Sequence, residues 1–334
     1  MTQPESEICY LKSDWDSISG IRRFSHEAMA TTFGIFIAHE DTQYAKQAAW
    51  EAFDELDNIE AELSRFVENS DISRINNLAA SQPLPIGLAA FECLQISARI
   101  YDETNGAFDI TIGHLLSCWL SENKTARTPS EKELEFARQH TGTDLLKLNE
   151  TDHTVELLTP PLGGAGLTSP VQIDLGGMGK GYAVDKMAEL LRDWSIDTAL
   201  IHAGYSSVLA FGCPSGTKGW PVTFSNPRNR KETLAFLNLQ DRALSGSGLQ
   251  KGRHIIDPRT YQPVEGRLAA WASASTATTA DALSTAFMVL LPDEIEKYCH
   301  DHSDTLAMVI LEKSDKEKQR DNILRFGQWN EFAV

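Results

Sequence analysis

Residues 173–185, reading IDLGGMGKGYAVD, combine glycine, lysine and aspartate in a pattern suited to phosphate binding. An apolar run precedes this stretch and a helical pattern follows it, so we expect a strand, a Gly-rich turn and a helix start. Backbone N–H groups converge in such a turn and hold phosphate oxygens, while Lys180 adds a positive charge and Asp174 a carboxylate. The alternative is a tight connection that binds nothing.

Two well-known phosphate-binding loops do not fit this turn. A Walker A loop has Ser or Thr after its Gly-Lys pair, and here Gly181 stands there. The dinucleotide fingerprint needs a third glycine where this chain has Tyr182. The sequence therefore predicts phosphate binding by a different arrangement.

Asp281 and Thr285 are four residues apart in a segment with helical periodicity, so their side-chain oxygens share one face. A carboxylate and a hydroxyl without neighbouring His or Cys suit a hard cation such as Mg²⁺. Alternatively, Asp281 complements the helix dipole and Thr285 hydrogen-bonds to the backbone. Spacing alone leaves both interpretations open.

His254 precedes Ile255 and follows residues 243–252, which we interpret as a turn rich in small residues. An imidazole there could serve as a general base near neutral pH. A structural histidine is the alternative. Ser245 and Ser247 would either contact a phosphate or stabilise the turn.

Charge and composition restrict the partners. The 334 residues carry a formal net charge of −17, so nucleic acid and anionic membranes are poor partners. The sequence lacks an apolar run of about 18 residues, and we expect no membrane span. Residues 1–17 are acidic and do not resemble a secretory signal, so we expect a cytoplasmic protein. The five cysteines form no C-x-x-C pair, which indicates a reducing compartment and no zinc site.

Helical and strand patterns mix along the chain without regular βαβ alternation, which favours an α+β fold. We expect a loose N-terminal tail at 1–20 and one domain over 21–334, with a surface insertion at 121–150. The predicted helices lie at 42–64, 87–105 and 280–291, and a short helix capped by residues 69–71 is expected within 63–77. The predicted strands lie at 24–39, 198–211 (a pair), 220–224, 234–239, 268–276 and 306–311.

Six segments in order, from about residue 29 to 291, resemble the ApbE-like FAD:protein FMN transferase family. They are AMATTF at 28–33, LSRFVENSDISRIN at 63–76, GAFDITIG at 106–113, IDLGGMGKGYAVD at 173–185, GSG…HIIDPRT at 246–260 and ADALSTAF at 280–287.

The resemblance implies an ApbE-like fold of mixed strands and helices in one compact two-lobed unit. It also implies Mg²⁺-dependent transfer of FMN from FAD to a Thr or Ser hydroxyl of an acceptor flavoprotein, with release of AMP. By position, the metal would be held by Asp281, Thr285 and the carbonyl of Gly177, and His254 would accept the proton. The residues that would touch FAD are Met29, Phe66, Ala107, Phe108, Asp109, Asp174, Lys180 and Ile255.

The chain departs from the family pattern at several positions. Tyr205 and Ser206 stand where the family has a glycine followed by an acid, Gly246 replaces a threonine, and Tyr261 replaces a glycine. These changes concern the acceptor or adenosine surface. Two other functions therefore remain: an FAD pyrophosphatase that produces FMN and AMP, and an FAD-binding protein without catalysis.

Overall fold

The structure is a computed structural model. It describes residues 11–12, 15, 18–78, 82–121, 123, 125–158, 169–229, 232–249, 254–312 and 322–329. These residues fall into two compact units. Unit 1 comprises the described residues of Met1–Asp57, Lys180–Lys251 and Gly266–Val334. Unit 2 comprises those of Asn58–Gly179 and Gly252–Glu265.

The helices of the described residues are α1 (Thr42–Leu63), α2 (Asp71–Asn76), α3 (Leu88–Glu103), α4 (Gly113–Trp119), α5 (Glu131–Gln139), α6 (Gly179–Asp193), α7 (Ala277–Val289) and α8 (Pro292–Asp301). The strands are β1 (Leu11–Lys12), β2 (Ile21–Ala28), β3 (Thr31–Ala38), β4 (Leu84–Pro85), β5 (Leu146–Asn149), β6 (Thr154–Leu157), β7 (Ala199–Ala203), β8 (Ser207–Phe211), β9 (Trp220–Ser225), β10 (Thr233–Leu239), β11 (Arg242–Gly248), β12 (Ile256–Asp257), β13 (Gln262–Pro263), β14 (Arg267–Ala274), β15 (Leu306–Leu311) and β16 (Asn322–Phe326).

An eight-stranded antiparallel sheet forms the centre of unit 1, in the order β16-β15-β14-β11-β8-β7-β3-β2 among the described strands. The smaller sheet β1-β9-β10 packs against it through a buried cluster that includes Trp220, Phe224 and Trp271. Apolar side chains of both sheets interdigitate there, as expected for two packed sheets.

Helix α7 is buried almost throughout, which its sequence explains. The segment ATTADALSTAFMV presents small or apolar residues on every side, and a helix of that kind belongs inside a core. It packs against β8, β11 and β14 of the central sheet. Its two candidate metal ligands are therefore carried by a rigid, enclosed element.

Unit 2 combines short sheets with helices. Strands β4, β6 and β5 pair in that order, and β12 pairs with β13. Ile256 packs with Leu115 and Cys118 of α4 and Ala137 of α5. The expected surface insertion at 121–150 lies in this unit, and its described residues include α5, a 3-10 turn at Thr143–Leu145 and β5.

The mixed α+β fold class is confirmed, and four local predictions need correction. Residues 243–248 are not a turn: they form β11 in the middle of the central sheet. The segment before the Gly-rich turn is not a full strand, since only Gln172 makes an isolated bridge, to Ile112. Residues 24–39 are divided between β2 and β3.

The fourth correction concerns the N-terminal tail. Leu11–Lys12 pairs with β9, and Trp15 is buried, so this part of 1–20 is not loose. The Trp15 indole also donates a hydrogen bond to the carbonyl of Pro221. Residues 1–10 of the expected tail, including Cys9, lie outside the described residues.

Among the helices that the structure describes, we find none with the length and apolar character needed to cross a membrane. The cytoplasmic location stays a prediction.

Candidate functional site

Asp281 is the buried carboxylate at the centre of the polar contacts in unit 1. Its Oδ2 accepts the backbone N–H of Gly181 at 3.1 Å and lies 3.5 Å from Nζ of Lys180. Its Oδ1 accepts the hydroxyl of Ser207 at 3.1 Å. The side chain of Asp281 is only 4% exposed, so these contacts act in a medium of low dielectric constant.

Thr285 lies one helical turn after Asp281, as the spacing predicts. Its hydroxyl is 3.2 Å from that of Ser247 on β11. The Ser247 hydroxyl is also 2.7 Å from that of Ser284. The segment that the sequence indicated as a turn rich in small residues therefore contributes a strand hydroxyl that lies against the helix carrying the metal candidates.

These residues fit a hard cation. Carboxylate and hydroxyl oxygens are the ligands that Mg²⁺ prefers, and it needs only one or two protein carboxylates. Ser245 shares a strand face with Ser247, and its fully buried hydroxyl has no hydrogen-bond partner among the described residues. Within the part of the chain that the structure describes, no group of three His, Cys, Asp or Glu side chains could hold a metal. A cation at Asp281 would therefore depend on hydroxyl, carbonyl, water or phosphate oxygens.

Gly177, the predicted carbonyl ligand, belongs to unit 2, where it lies in the turn at 176–178. Asp174 shapes this turn by accepting the N–H of Gly176 at 2.7 Å. The Arg65 guanidinium lies 3.0 Å from the other oxygen of Asp174 and 4.8 Å from the centre of the Phe66 ring. Phe66 is 79% exposed, so an aromatic face is available beside the Gly-rich turn.

Asn76 holds the segment that leads into this turn. Its side chain accepts the N–H of Ile173 at 2.6 Å and donates to the carbonyl of the same residue at 2.9 Å. The N–H of Asp174 donates to the carbonyl of Ile110 at 2.7 Å. The structure thus brings together three of the predicted FAD-binding segments: 65–66, 107–110 and 174–177.

Asp109 is buried in the middle segment. Its Oδ1 accepts the N–H and the hydroxyl of Thr111, at 2.7 and 2.6 Å. Burial raises the pKa of the Asp109 carboxyl to about 6, and the hydrogen bonds from Thr111 partly oppose this shift. Its predicted FAD-contacting neighbours Ala107 and Phe108 are also buried. A contact between Asp109 and a ligand would thus involve a carboxyl that titrates near pH 6.

His254 is half-buried at the start of the segment that leads into β12. The next residue, Ile255, is buried, and its carbonyl accepts the N–H of Val264 at 2.9 Å. The position of His254 beside a buried, hydrogen-bonded residue is compatible with either interpretation made from the sequence.

Tyr261 adopts a conformation that explains the glycine expected at this position. Its φ of +62° lies in the left-handed region, which glycine enters without steric cost. Its carbonyl accepts the Trp119 indole N–H at 2.9 Å, and its ring lies 5.2 Å from the Arg138 guanidinium. These contacts hold the carbonyl and the ring of Tyr261 in place.

The other departures from the family pattern lie in unit 1. Tyr205 stands in the turn between β7 and β8, with its ring 6.2 Å from that of His202. Gly246 pairs with Trp271 of β14 and donates its N–H to the carbonyl of Ser206. Ser206 directly precedes Ser207, which donates to Asp281, so Gly246 and Ser206 lie next to the Asp281 contacts.

The turn that joins β2 and β3 contains Met29 and Ala30, both with positive φ, at +49° and +56°. Left-handed conformations are unfavourable for residues other than glycine, and such strain is concentrated at functional sites. Met29, a predicted FAD contact, is therefore held in a strained hairpin turn.

A family model described as the ApbE family matches residues 29–310. The chain belongs to the ApbE family. Among its relatives, the FAD:protein FMN transferase of Klebsiella pneumoniae is 26% identical over 300 residues, covering 86% of this chain and 83% of that protein. The Chlamydia muridarum protein of the same name is 30% identical over 229 residues, covering 66% of this chain and 67% of its own length.

Solved structures of ApbE proteins share the fold. The Thermotoga maritima ApbE protein has a TM-score of 0.80 and 25% identity, covering 94% of this chain and 99% of its own. The apo flavinyl transferase ApbE of Pseudomonas stutzeri has a TM-score of 0.80 and 21% identity, covering 94% and 96%. The ApbE-like fold expected from six short segments is thus confirmed.

Sequence reasoning did not identify two residues of the candidate site, Arg65 and Ser207. Arg65 pairs with Asp174, and Ser207 donates to Asp281. Lys180, predicted to touch FAD, also lies against Asp281, a contact that the sequence did not indicate. Arg65 directly precedes Phe66, so its cationic side chain beside a predicted FAD contact could have indicated a role for Arg65 in the candidate site. Ser207 gave no such signal, because its partner lies 74 residues away.

Proposed function

We propose that this ApbE protein transfers FMN from FAD to a Thr or Ser hydroxyl of an acceptor flavoprotein, with Mg²⁺ and release of AMP. The observation that carries the proposal is the buried Asp281 carboxylate, with Lys180 and Gly181 at Oδ2 and Thr285 one helical turn away. The names of the relatives support the same reaction.

In unit 2, the exposed Phe66 ring would stack on the isoalloxazine, and the Gly-rich turn would offer N–H groups to the pyrophosphate. Arg65 would supply positive charge, which a chain with a net charge of −17 needs in order to attract an anionic substrate. Ala107, Phe108, Asp109 and Ile255 would form further contacts with FAD in this unit.

In unit 1, Asp281 and Thr285 would hold Mg²⁺. When bound, Mg²⁺ neutralises charge that develops on the phosphoryl oxygens. Lys180 would add a second positive charge close to Asp281. The rigid helix α7 keeps Asp281 and Thr285 in place, so little reorganisation is needed during the reaction.

The chemistry would be one phosphoryl transfer. The acceptor hydroxyl oxygen forms a bond to the FMN phosphorus, and the bond between that phosphorus and the bridging oxygen of the pyrophosphate breaks. AMP leaves with the bridging oxygen, and His254 accepts the hydroxyl proton. Binding FAD in a fixed pose would lower the entropic part of the barrier.

The test is incubation of the wild-type protein with FAD, Mg²⁺ and a candidate acceptor flavoprotein, followed by intact-mass analysis of the acceptor. We expect a mass increase equal to one FMN group, with AMP formed in equal amount. The matched control is the same acceptor with its target Thr or Ser changed to Ala, which should gain no mass.

Two other outcomes would overturn the proposal. Equal release of free FMN and AMP with no labelled acceptor would identify an FAD pyrophosphatase. Tight FAD binding without turnover, across a set of acceptors, would identify a binding protein.

A further inference from the structure

Asp185, in the first half of α6, accepts three hydrogen bonds from the first turn of the helix that carries Asp281 and Thr285. Its Oδ1 accepts the N–H of Ala277 at 2.7 Å, and its Oδ2 accepts the N–H of Thr278 at 2.8 Å. The Thr278 hydroxyl donates to Oδ2 as well. Burial raises the pKa of the Asp185 carboxyl, while the bonds from Thr278 and Ala277 oppose that shift.

Once the bonds to Asp185 are included, each backbone N–H group of the first turn of α7 (residues 277–280) has a hydrogen-bond acceptor. The hydroxyl of Thr276 accepts the N–H of Thr279 at 3.2 Å, and the carbonyl of Thr276 accepts that of Ala280 at 3.1 Å. Ala277 and Thr278 donate to Asp185. A helix start whose N–H groups are already bonded is not built to bind an anionic ligand, so Asp185 acts on the helix itself.

The two helices also meet at close range. A Cβ placed on Gly181 would lie 2.2 Å from the carbonyl oxygen of Ala277, so only glycine allows this approach. Gly181 donates its N–H to Asp281, and Asp185 follows one turn later on α6. One face of α6 therefore fixes both the start of α7 and the Asp281 carboxylate.

The far end of α7 is held separately. Arg267 on β14 is buried, and its guanidinium donates to the carbonyls of Phe287 and Leu290. Positive charge there complements the helix dipole, as the Asp185 carboxylate does at the start. Arg267 therefore provides a structural control, since its guanidinium donates at the C-terminal end of α7, opposite to the end that Asp185 contacts.

We propose that Asp185 is a positioning residue that sets the placement of Asp281 and Thr285 for the cation through its hydrogen bonds to the first turn of α7. The inference rests on the proposed function. It predicts that Asp185 affects Mg²⁺ affinity although it is not a ligand, as groups that hydrogen-bond to ligand-bearing elements do.

The test variant is Asp185→Asn. An amide keeps one acceptor oxygen for Ala277 but turns an NH₂ group toward the two donors of Thr278. We expect the Mg²⁺ concentration for half-maximal FMN transfer to rise by about 10-fold or more, with the KM for FAD at saturating Mg²⁺ nearly unchanged. Thr278→Val, which removes the hydroxyl donor, should raise this Mg²⁺ concentration by a smaller factor. Thr278→Ser keeps the hydroxyl and should show the wild-type value.

The second readout does not use activity. The increase in Tm caused by Mg²⁺ alone should be clear in the wild type and much reduced in Asp185→Asn at the same Mg²⁺ concentration. The neutral control is Glu189→Gln, an exposed residue one turn further along α6, which should match the wild type. The structural control is Arg267→Lys, which should lower the Tm without changing the Mg²⁺ response.

The outcomes separate the two proposals. If the wild type transfers FMN and responds to Mg²⁺, but Asp185→Asn shows the same Mg²⁺ response as Glu189→Gln, the inference is wrong and the proposed function stands. If Asp185→Asn and Arg267→Lys alter the Mg²⁺ response equally, Asp185 is only a stabilising residue. If the wild type neither binds nor needs Mg²⁺, both proposals fail.

Discussion

Nζ of Lys180 lies 3.5 Å from Oδ2 of Asp281, the same oxygen that accepts the N–H of Gly181. Two consecutive residues of α6 thus contact a single carboxylate oxygen on α7. In a buried setting, a charge that lost such partners would be costly, so the carboxylate is held in one position. That fixed position is what a catalytic cation would require.

Replacing Asp281 by Asn should strongly slow Mg²⁺-dependent FMN transfer while keeping the fold. The amide retains an oxygen for one of the existing hydrogen bonds but carries no charge. We expect a loss of at least about 100-fold in kcat, the scale of removing one group that stabilises a transition state electrostatically. Asp293→Asn on the exposed first turn of α8 is the matched control. Unchanged Mg²⁺ dependence in Asp281→Asn would remove Asp281 from the metal site.

Replacing His254 by Ala should slow FMN transfer by roughly 10²- to 10⁴-fold, the range for loss of a general base. FAD affinity should change far less, because the proposed flavin and pyrophosphate contacts lie mainly on other segments. His300→Ala, whose side chain is 86% exposed, is the control. Should binding and rate fall by the same factor, His254 is a structural residue.

The pKa of about 6 for Asp109 predicts a specific dependence of stability on pH. The Asp109 carboxyl binds its proton more tightly in the folded state than in the unfolded state, where it titrates near pH 4. The stabilisation that protonated Asp109 provides is therefore present below about pH 4 and is lost as pH rises to about 6. This loss lowers the free energy of unfolding by about 3 kcal/mol. Urea unfolding of wild type and Asp109→Asn from pH 4 to 7 measures it. A pH-independent difference between them would contradict the prediction.

His202 should show the opposite sign. Burial lowers the pKa of its imidazole to about 4, and its Nδ1 is 2.7 Å from the carbonyl of Gly204. In the unfolded chain the His202 imidazole binds a proton near pH 6.5, whereas in the folded state it stays neutral down to about pH 4. The free energy of unfolding therefore falls as pH drops from about 6.5 to 4, by roughly 3 kcal/mol. The advantage of wild type over His202→Gln should shrink by that amount over this range, as followed by urea unfolding. A constant advantage would show that His202 becomes protonated in the folded state.

The strained turn at Met29 and Ala30 gives a prediction that separates stability from function. Ala30→Gly removes the penalty of a left-handed conformation and should raise the free energy of unfolding by up to about 1 kcal/mol. Met29→Gly should have a similar effect on stability while weakening FAD binding, because it removes the predicted contact. Thermal unfolding and FAD titration of both variants test this. Equal FAD affinity in the two would exclude Met29 from the binding site.

Much of the fold could be predicted from the sequence where one periodicity dominated. Helix α1 and the strands β7 and β8 were found because their apolar residues repeat at helical or strand spacing over many positions. Strand β11 was misread as a turn. Its residues ALSGSG are typical of a loop, but they fit a strand that must lie close to the buried helix α7. Tertiary packing overrode local preference there.

The candidate site was predicted only in part for a similar reason. Asp281 and Thr285 could be paired from their spacing on one helix, since i, i+4 neighbours share a face. Lys180, Ser207 and Asp185 contact α7 from segments about 70 to 100 positions away in the sequence. Single-sequence periodicity carries no information about which distant segments meet, so these contacts needed the structure.

The assembly of unit 1 from three separate stretches of chain has a consequence for biosynthesis. In the central sheet, strands β2 and β3 are made first, yet β11 needs β14 as a neighbour, β14 needs β15, and β15 needs β16. The sheet that packs against the helix carrying Asp281 therefore cannot be complete until residues 266–326 have left the ribosome. For most of translation, the nascent chain carries the sheet's apolar strands without their final partners, a condition in which aggregation competes with folding.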